Sequence, residues 1–138
     1  MPRVSLHTYG LLLALRSMKQ LITILVLDDE DITREIVVRT LKNARYRVIQ
    51  AKGGQEAIKL AKEHIGPIRL LVTDIVMWKE NGRQVADAIT PSRPTMKVLY
   101  MSAFVGHAND VLDKNASFIA KPFTPQALLE AVESVLAM

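Results

Sequence analysis

The chain has 138 residues, 49% of them apolar, no cysteine and a net charge of +4. That length suits one domain with its own core and is too short for two, and the missing cysteines exclude disulfides and thiolate metal sites and fit a reducing, cytoplasmic setting. The charge is uneven: residues 1–20 hold Arg3, Arg16 and Lys19 and no acid, which leaves 15 basic against 14 acidic residues from Leu21 on, and no basic face with interleaved aromatics marks a nucleic-acid binder.

The first twenty residues read as an N-terminal extension, flexible or loosely docked. Their apolar stretch Tyr9 to Leu15 is followed at once by Arg16 and Lys19, lacks a small-residue cleavage site and is too short to span a bilayer. A short amphipathic helix packed on the domain or a partner is the alternative. Residues 21–138 form the domain proper. TILVLDD (23–29) is a continuous apolar run ending in acids, the pattern of a strand buried on both faces. DITREIVVRTLKNA (31–44) has helical periodicity through Ile32, Ile36, Val37 and Leu41, with Asp31 as its expected cap. YRVIQAK (46–52) is a second strand, and QEAIKLAKEH (55–64) is a helix stopped by Gly66-Pro67.

IRLLVTD (68–74) is the third strand and again ends in an acid. Asn81-Gly82 marks a turn before a short helix over 83–89, bounded by Pro91 and Pro94. KVLYMSA (97–103) is a fourth strand, 106–114 a helix candidate with few apolar anchors, and ASFIAK (116–121) a fifth strand. Thr124 and Pro125 open a last helix whose apolar stripe is Leu128, Leu129, Val132, Val135 and Leu136. Alternating strands and helices predict an α/β fold, a doubly wound five-stranded parallel sheet with helices on both faces. The site of such a sheet lies beyond the carboxyl ends of its strands.

Those ends are chemically loaded. The first strand ends at Asp28 and Asp29, the third at Asp74, the fourth at Ser102 and the fifth at Lys121. Three carboxylates gathered at one edge repel, and a cation among them relieves that repulsion. The donors are all oxygens, with no His or Cys, which points to Mg²⁺ rather than zinc. Acids, Mg²⁺ and Lys121 together are arranged to hold a phosphoryl group, with Ser102 as a further donor and Asp74 as the best-placed nucleophile.

ILVLDDE (24–30), LLVTDIVM (70–77) with Asn81-Gly82, YMSA (100–103) and AKPF (120–123) resemble, in order and at family spacing, the motifs of response-regulator receiver domains. The resemblance runs from about Thr23 to Val135 and looks closest to receivers of hybrid histidine kinases. It implies a flavodoxin-like sheet of strand order 2-1-3-4-5 and a phosphoacceptor that assists its own phosphorylation and dephosphorylation without being an enzyme. It also implies phosphorylation of Asp74 by a phosphohistidine on a histidine kinase or histidine phosphotransfer protein. Asp29, Asp74 and the backbone carbonyl of Val76 would then ligate Mg²⁺, Asp28 acting partly through water. Ser102 and Lys121 would contact the phosphoryl oxygens, and Ser102 with Phe118 would switch a surface made by the segment 106–114, the fifth strand and the last helix, to be read by a downstream protein.

This chain departs from the family at Trp78, where proline is usual; Trp78 would reshape the loop, form a docking surface or be a buried anchor. Val76 and Phe104 are apolar at two positions that flank the path of a hydrolytic water, which predicts a long-lived acyl phosphate. Two other readings stay open. One is a receiver-like scaffold that is never phosphorylated. The other is a Mg²⁺-dependent phosphohydrolase with an aspartate nucleophile, which would want an acid where Val76 stands. No nucleic-acid partner and no membrane span are expected.

Overall fold

The structure is a computed structural model and describes residues 5–103 and 114–138. Its elements in chain order are α1 (Leu6–Gln20), β1 (Thr23–Leu27), α2 (Asp31–Asn43), β2 (Arg47–Ala51), α3 (Gly54–Glu63), β3 (Leu70–Asp74), α4 (Gly82–Ile89) with a 3₁₀ turn at Thr90–Ser92, β4 (Lys97–Ser102), β5 (Ser117–Ala120) and α5 (Pro125–Leu136). Residues 106–113 of the helix expected over 106–114 lie outside the described residues, as does Phe104, and Lys114 stands in a turn.

The five strands are parallel in the order β2-β1-β3-β4-β5. Thr23 is in register with Arg47, Ile24 with Leu70, Asp74 with Met101 and Ser102 with Ala120. The continuous apolar runs mean what they suggested: every residue of β1 is buried, and so are Leu70 to Thr73 of β3. Because side chains alternate across a strand, Leu25, Leu27 and Leu71 pack under α3 and α4. Ile24, Val26, Leu70 and Val72 pack under α2 and α5 on the other face. Each fully buried Leu or Ile of this sandwich contributes roughly 1.5–3 kcal/mol of hydrophobic stabilisation.

The helix ends follow local chemistry. Thr124 caps α5 by accepting from the Ala127 N–H at 3.1 Å, with Pro125 in the first turn. Leu128, Val132 and Val135 form its buried stripe, and Leu129 and Leu136 pack half-buried at its margin. Asn81 does more than turn the chain. Its side chain accepts from the Gln84 N–H at 2.9 Å while the Gln84 side-chain Oε1 accepts from the Asn81 N–H at 3.0 Å, a reciprocal box that starts α4 at Gly82.

Two expectations for α2 are corrected. Asp31 is not its cap: the cap position is Glu30, and Asp31 is the first helical residue, ion-paired to Arg34 at 2.6 Å. Ile32 and Ile36 are exposed, and the inward face is Arg34, Val37, Val38, Thr40 and Leu41. Apolar spacing misplaced this stripe because a polar residue, Arg34, takes an inward position near the acid pair.

Residues 6–20 are helical, begun by Ser5, whose hydroxyl accepts from the Thr8 N–H at 3.1 Å. The helix meets the domain through its last turns. Lys19 lies 3.6 Å from Glu133 and 5.7 Å from the centre of the Tyr46 ring. No helix among the described residues is long and apolar enough to cross a membrane.

Candidate functional site

The parallel sheet delivers the ends of β1, β3, β4 and β5 to one edge, and Asp28, Asp29, Asp74, Ser102 and Lys121 stand there. Asp28, Asp29 and Asp74 each present a carboxylate oxygen, and these atoms lie within 4.8 Å of one another. Lys121 crosses to them: its Nζ is 3.2 Å from Asp28 Oδ2 and 3.2 Å from Asp74 Oδ2. The Lys121 N–H also donates to the Ser102 carbonyl at 2.8 Å, which extends the β4–β5 pairing and fixes the root of the lysine. Its peptide bond to Pro122 is cis.

Depth grades the three acids. The Asp28 side chain is fully buried, Asp74 is 13% exposed, and Asp29 faces solvent. Burial pushes the Asp28 carboxyl above its ordinary range, and the nearby Asp74 charge adds to that. The Glu30 N–H, donating at 2.9 Å, and Lys121 pull the other way. Burial likewise raises Asp74 and Asp29 adds to it, opposed by Lys121 and by the Val76 N–H at 3.4 Å. For Lys121 burial works downward, but Asp28 and Asp74 outweigh it and hold the ammonium above its ordinary value. Among the described residues, three carboxylates against one ammonium leave this edge negative, and the three acids offer only oxygen ligands. That set fits a hard divalent cation.

Ser102 is buried at the end of β4, one residue past Met101, the register partner of Asp74. Phe118 is half-buried opposite Tyr100 and packs against the core on the α3–α4 side. Val76 is 46% exposed. It forms an isolated bridge with Asn81, whose hydrogen bonds run from Gly82 N–H to the Ile75 carbonyl at 2.9 Å and from Met77 N–H to the Glu80 carbonyl at 3.2 Å. Gly82 is required here, since a Cβ at that position would run into the Asp74 carbonyl and the Thr73 side chain.

Trp78 is 78% exposed, so the buried-anchor reading is wrong. Its backbone N–H donates to Asp29 Oδ2 at 2.8 Å. Glu80, in the same loop, accepts from the Gly54 N–H at the start of α3 at 2.6 Å, so the loop after β3 is tied to both β1 and α3. Arg34 supports the acid pair from below: it donates to the Asp28 carbonyl at 2.9 Å and to Gln50 at 3.3 Å, with its side chain 8% exposed. Sequence reasoning overlooked Glu80 and Arg34. The only available signal was the Asp31–Arg34 spacing of three in a first helical turn.

Residues 24–133 match the model of the response regulator receiver domain. The chain is 29% identical over 116 residues to the response regulator receiver protein CpdR of Brucella abortus, an alignment covering 82% of this chain and 95% of that one. It is 30% identical over 120 residues to the sensor kinase CckA of the same organism, covering 83% of this chain and 12% of the kinase, so it corresponds to a small part of that relative. Among solved structures, a response regulator receiver protein from Sinorhizobium medicae superposes with a TM-score of 0.74 at 30% identity, covering 84% of this chain and 94% of the other. The receiver domain of the hybrid histidine kinase CckA gives 0.71 at 30% identity, covering 83% and 98%. The chain belongs to the response regulator receiver domain family, the phosphoacceptor switches of two-component signalling.

Proposed function

We propose that Asp74 is the phosphoacceptor and that Asp28, Asp29, Asp74 and the Val76 carbonyl hold a Mg²⁺ ion beside it. The observation that carries this reading is the meeting of three carboxylates within 4.8 Å, with Lys121 at 3.2 Å from two of them. When bound, the ion supplies positive charge to the phosphoryl oxygens. An Asp74 carboxylate oxygen attacks the phosphorus of a phosphohistidine. A P–O bond forms, the P–N bond breaks, and the electron pair returns to the imidazole nitrogen, which takes up a proton. Lys121 stays cationic throughout and neutralises the incoming phosphoryl group. Ser102 donates to one of its oxygens.

The donor is a histidine kinase or a histidine phosphotransfer protein. The product carries about 1.5–2 added negative charges at neutral pH beside Asp28 and Asp29. Ser102 moves toward the phosphoryl group, and Phe118 fills the space that opens, so that β5, α5 and the chain between β4 and β5 become the surface a downstream protein reads. Hydrolysis of the acyl phosphate by this same site is slow, because the exposed Val76 side chain cannot orient a water.

The test is incubation with Mg²⁺ and a small phosphodonor such as acetyl phosphate, read by intact mass. Wild type gains one phosphoryl group and Asp74→Asn gains none. A wild type that stays unmodified returns the reading to a receiver-like scaffold.

A further inference from the structure

The sheet has a second charged edge, opposite the site. Arg47 opens β2, Arg69 immediately precedes β3, and Arg45 sits in the turn before β2; all three are exposed. None has a carboxylate within ion-pair distance among the described residues. The acids at this end, Glu63 and Glu133, are each matched by a lysine, at 4.0 Å from Lys59 and 3.6 Å from Lys19. Helix α1 runs into this same edge, since Leu21 and Ile22 lead directly to β1.

Among the described residues, fourteen large apolar side chains are exposed, and eight of them fall between Leu6 and Leu21. They include Leu6 at 92%, Leu11 at 53% and Leu13 at 47%. The segment 1–20 holds three basic residues and no acid. Its joint to the domain is poorly filled, with a cavity of about 400 Å³ between Leu12, Leu15 and Lys19 on one side and Asn43, Ala44 and Arg45 on the other. The 15-residue helix is about 22 Å long, short of the roughly 30 Å of a bilayer core. It can lie in an interface and cannot cross it.

We propose that this end of the molecule docks on an anionic lipid surface, with α1 lying in the headgroup layer and Arg45, Arg47 and Arg69 facing the lipid charge. Exposed apolar area and positive charge are the two contributions that hold such helices to membranes. Nucleic acid would satisfy the arginines and leave the leucines in water. A second copy would cover the leucines and bring like-charged segments together. The parallel strands place the acidic edge at the far side of the sheet, so docking leaves Asp74 open to its donor and keeps it away from the lipid charge.

The full chain is floated with vesicles of phosphatidylcholine alone, or mixed with phosphatidylglycerol, and two variants are compared: Leu11→Asp with Leu13→Asp, and Arg45→Glu with Arg47→Glu and Arg69→Glu. The expected result is binding to the anionic vesicles only, weakened by salt and reduced about tenfold or more in both variants. Circular dichroism and phosphate uptake at Asp74 should be unchanged in both, showing that the variants are folded. Binding to neither vesicle, equal binding to both, or binding that the leucine variant leaves intact overturns the proposal. So does a concentration-dependent dimer, without lipid binding, that the leucine variant dissociates.

Discussion

At the carboxyl ends of the strands, Asp28, Asp74 and Lys121 are packed within 3.2 Å of a partner, and their side chains are 0–16% exposed. At the amino ends, Arg45, Arg47 and Arg69 stand in solvent with no close counter-charge among the described residues. Both edges are charged, and only one can do chemistry. Burial lowers the local dielectric, so at the site each charge is felt strongly by its neighbours and their protonation is coupled. At the other edge water screens each charge within about 8–10 Å, which leaves a field suited to attraction and little else.

That contrast can be tested in order of expected effect. Lys121→Met removes the cation that touches both Asp28 and Asp74 and should slow phosphorylation of Asp74 by about 10²- to 10³-fold, measured from the rate of mass gain at saturating Mg²⁺. A rate within a factor of two of wild type would show that the ammonium is structural only. Val76→Asn should shorten the acyl phosphate lifetime by roughly tenfold, followed as the decay of the phosphorylated mass; a wild type that loses its phosphate within seconds already rules out the slow-hydrolysis reading.

Stability against pH comes next. Asp28 and Asp74 titrate above their unfolded value of 3.8, so the folded state binds more protons than the unfolded one through that interval. Metal-free stability should therefore fall as pH rises from 3.8 through the raised folded values, and Mg²⁺ should restore it at neutral pH. Asp74→Asn takes away one of the two contributions, so its metal-free Tm at neutral pH should be a few degrees higher than that of wild type, about 1 kcal/mol, and its acid-side slope shallower. Lys121 does not offset this trend. Its folded value is raised, so its contribution is present below 10.5 and is lost only above its folded value. At the opposite edge Arg47→Ala should shift stability by less than about 0.5 kcal/mol at any of these pH values. A larger loss would mean that the exposed edge supports the fold.

The sheet was legible because parallel strands buried on both faces write themselves as uninterrupted apolar runs, as in Thr23–Leu27 and Leu70–Asp74. The residues at the site were legible for a related reason: they end those runs, and topology alone brings Asp28, Asp74 and Lys121 together. What could not be read depends on contacts across long stretches of chain. Glu80 meets Gly54 across 26 residues and Trp78 meets Asp29 across 49, and such hydrogen bonds leave no local pattern. Arg34 misled for a different reason. Periodicity counts apolar positions, and this inward position is held by a guanidinium that satisfies the Asp28 carbonyl.

The hydrogen bond from the Trp78 amide to Asp29 gives the molecule an optical handle. A proline, usual at that position in the family, has no N–H and could not form it. Trp78 is the only tryptophan in the chain, and its indole is solvated. Any event that repositions the outermost carboxylate pulls on the backbone of the sole strong fluorophore, so emission intensity becomes a label-free gauge of what occupies the acidic edge.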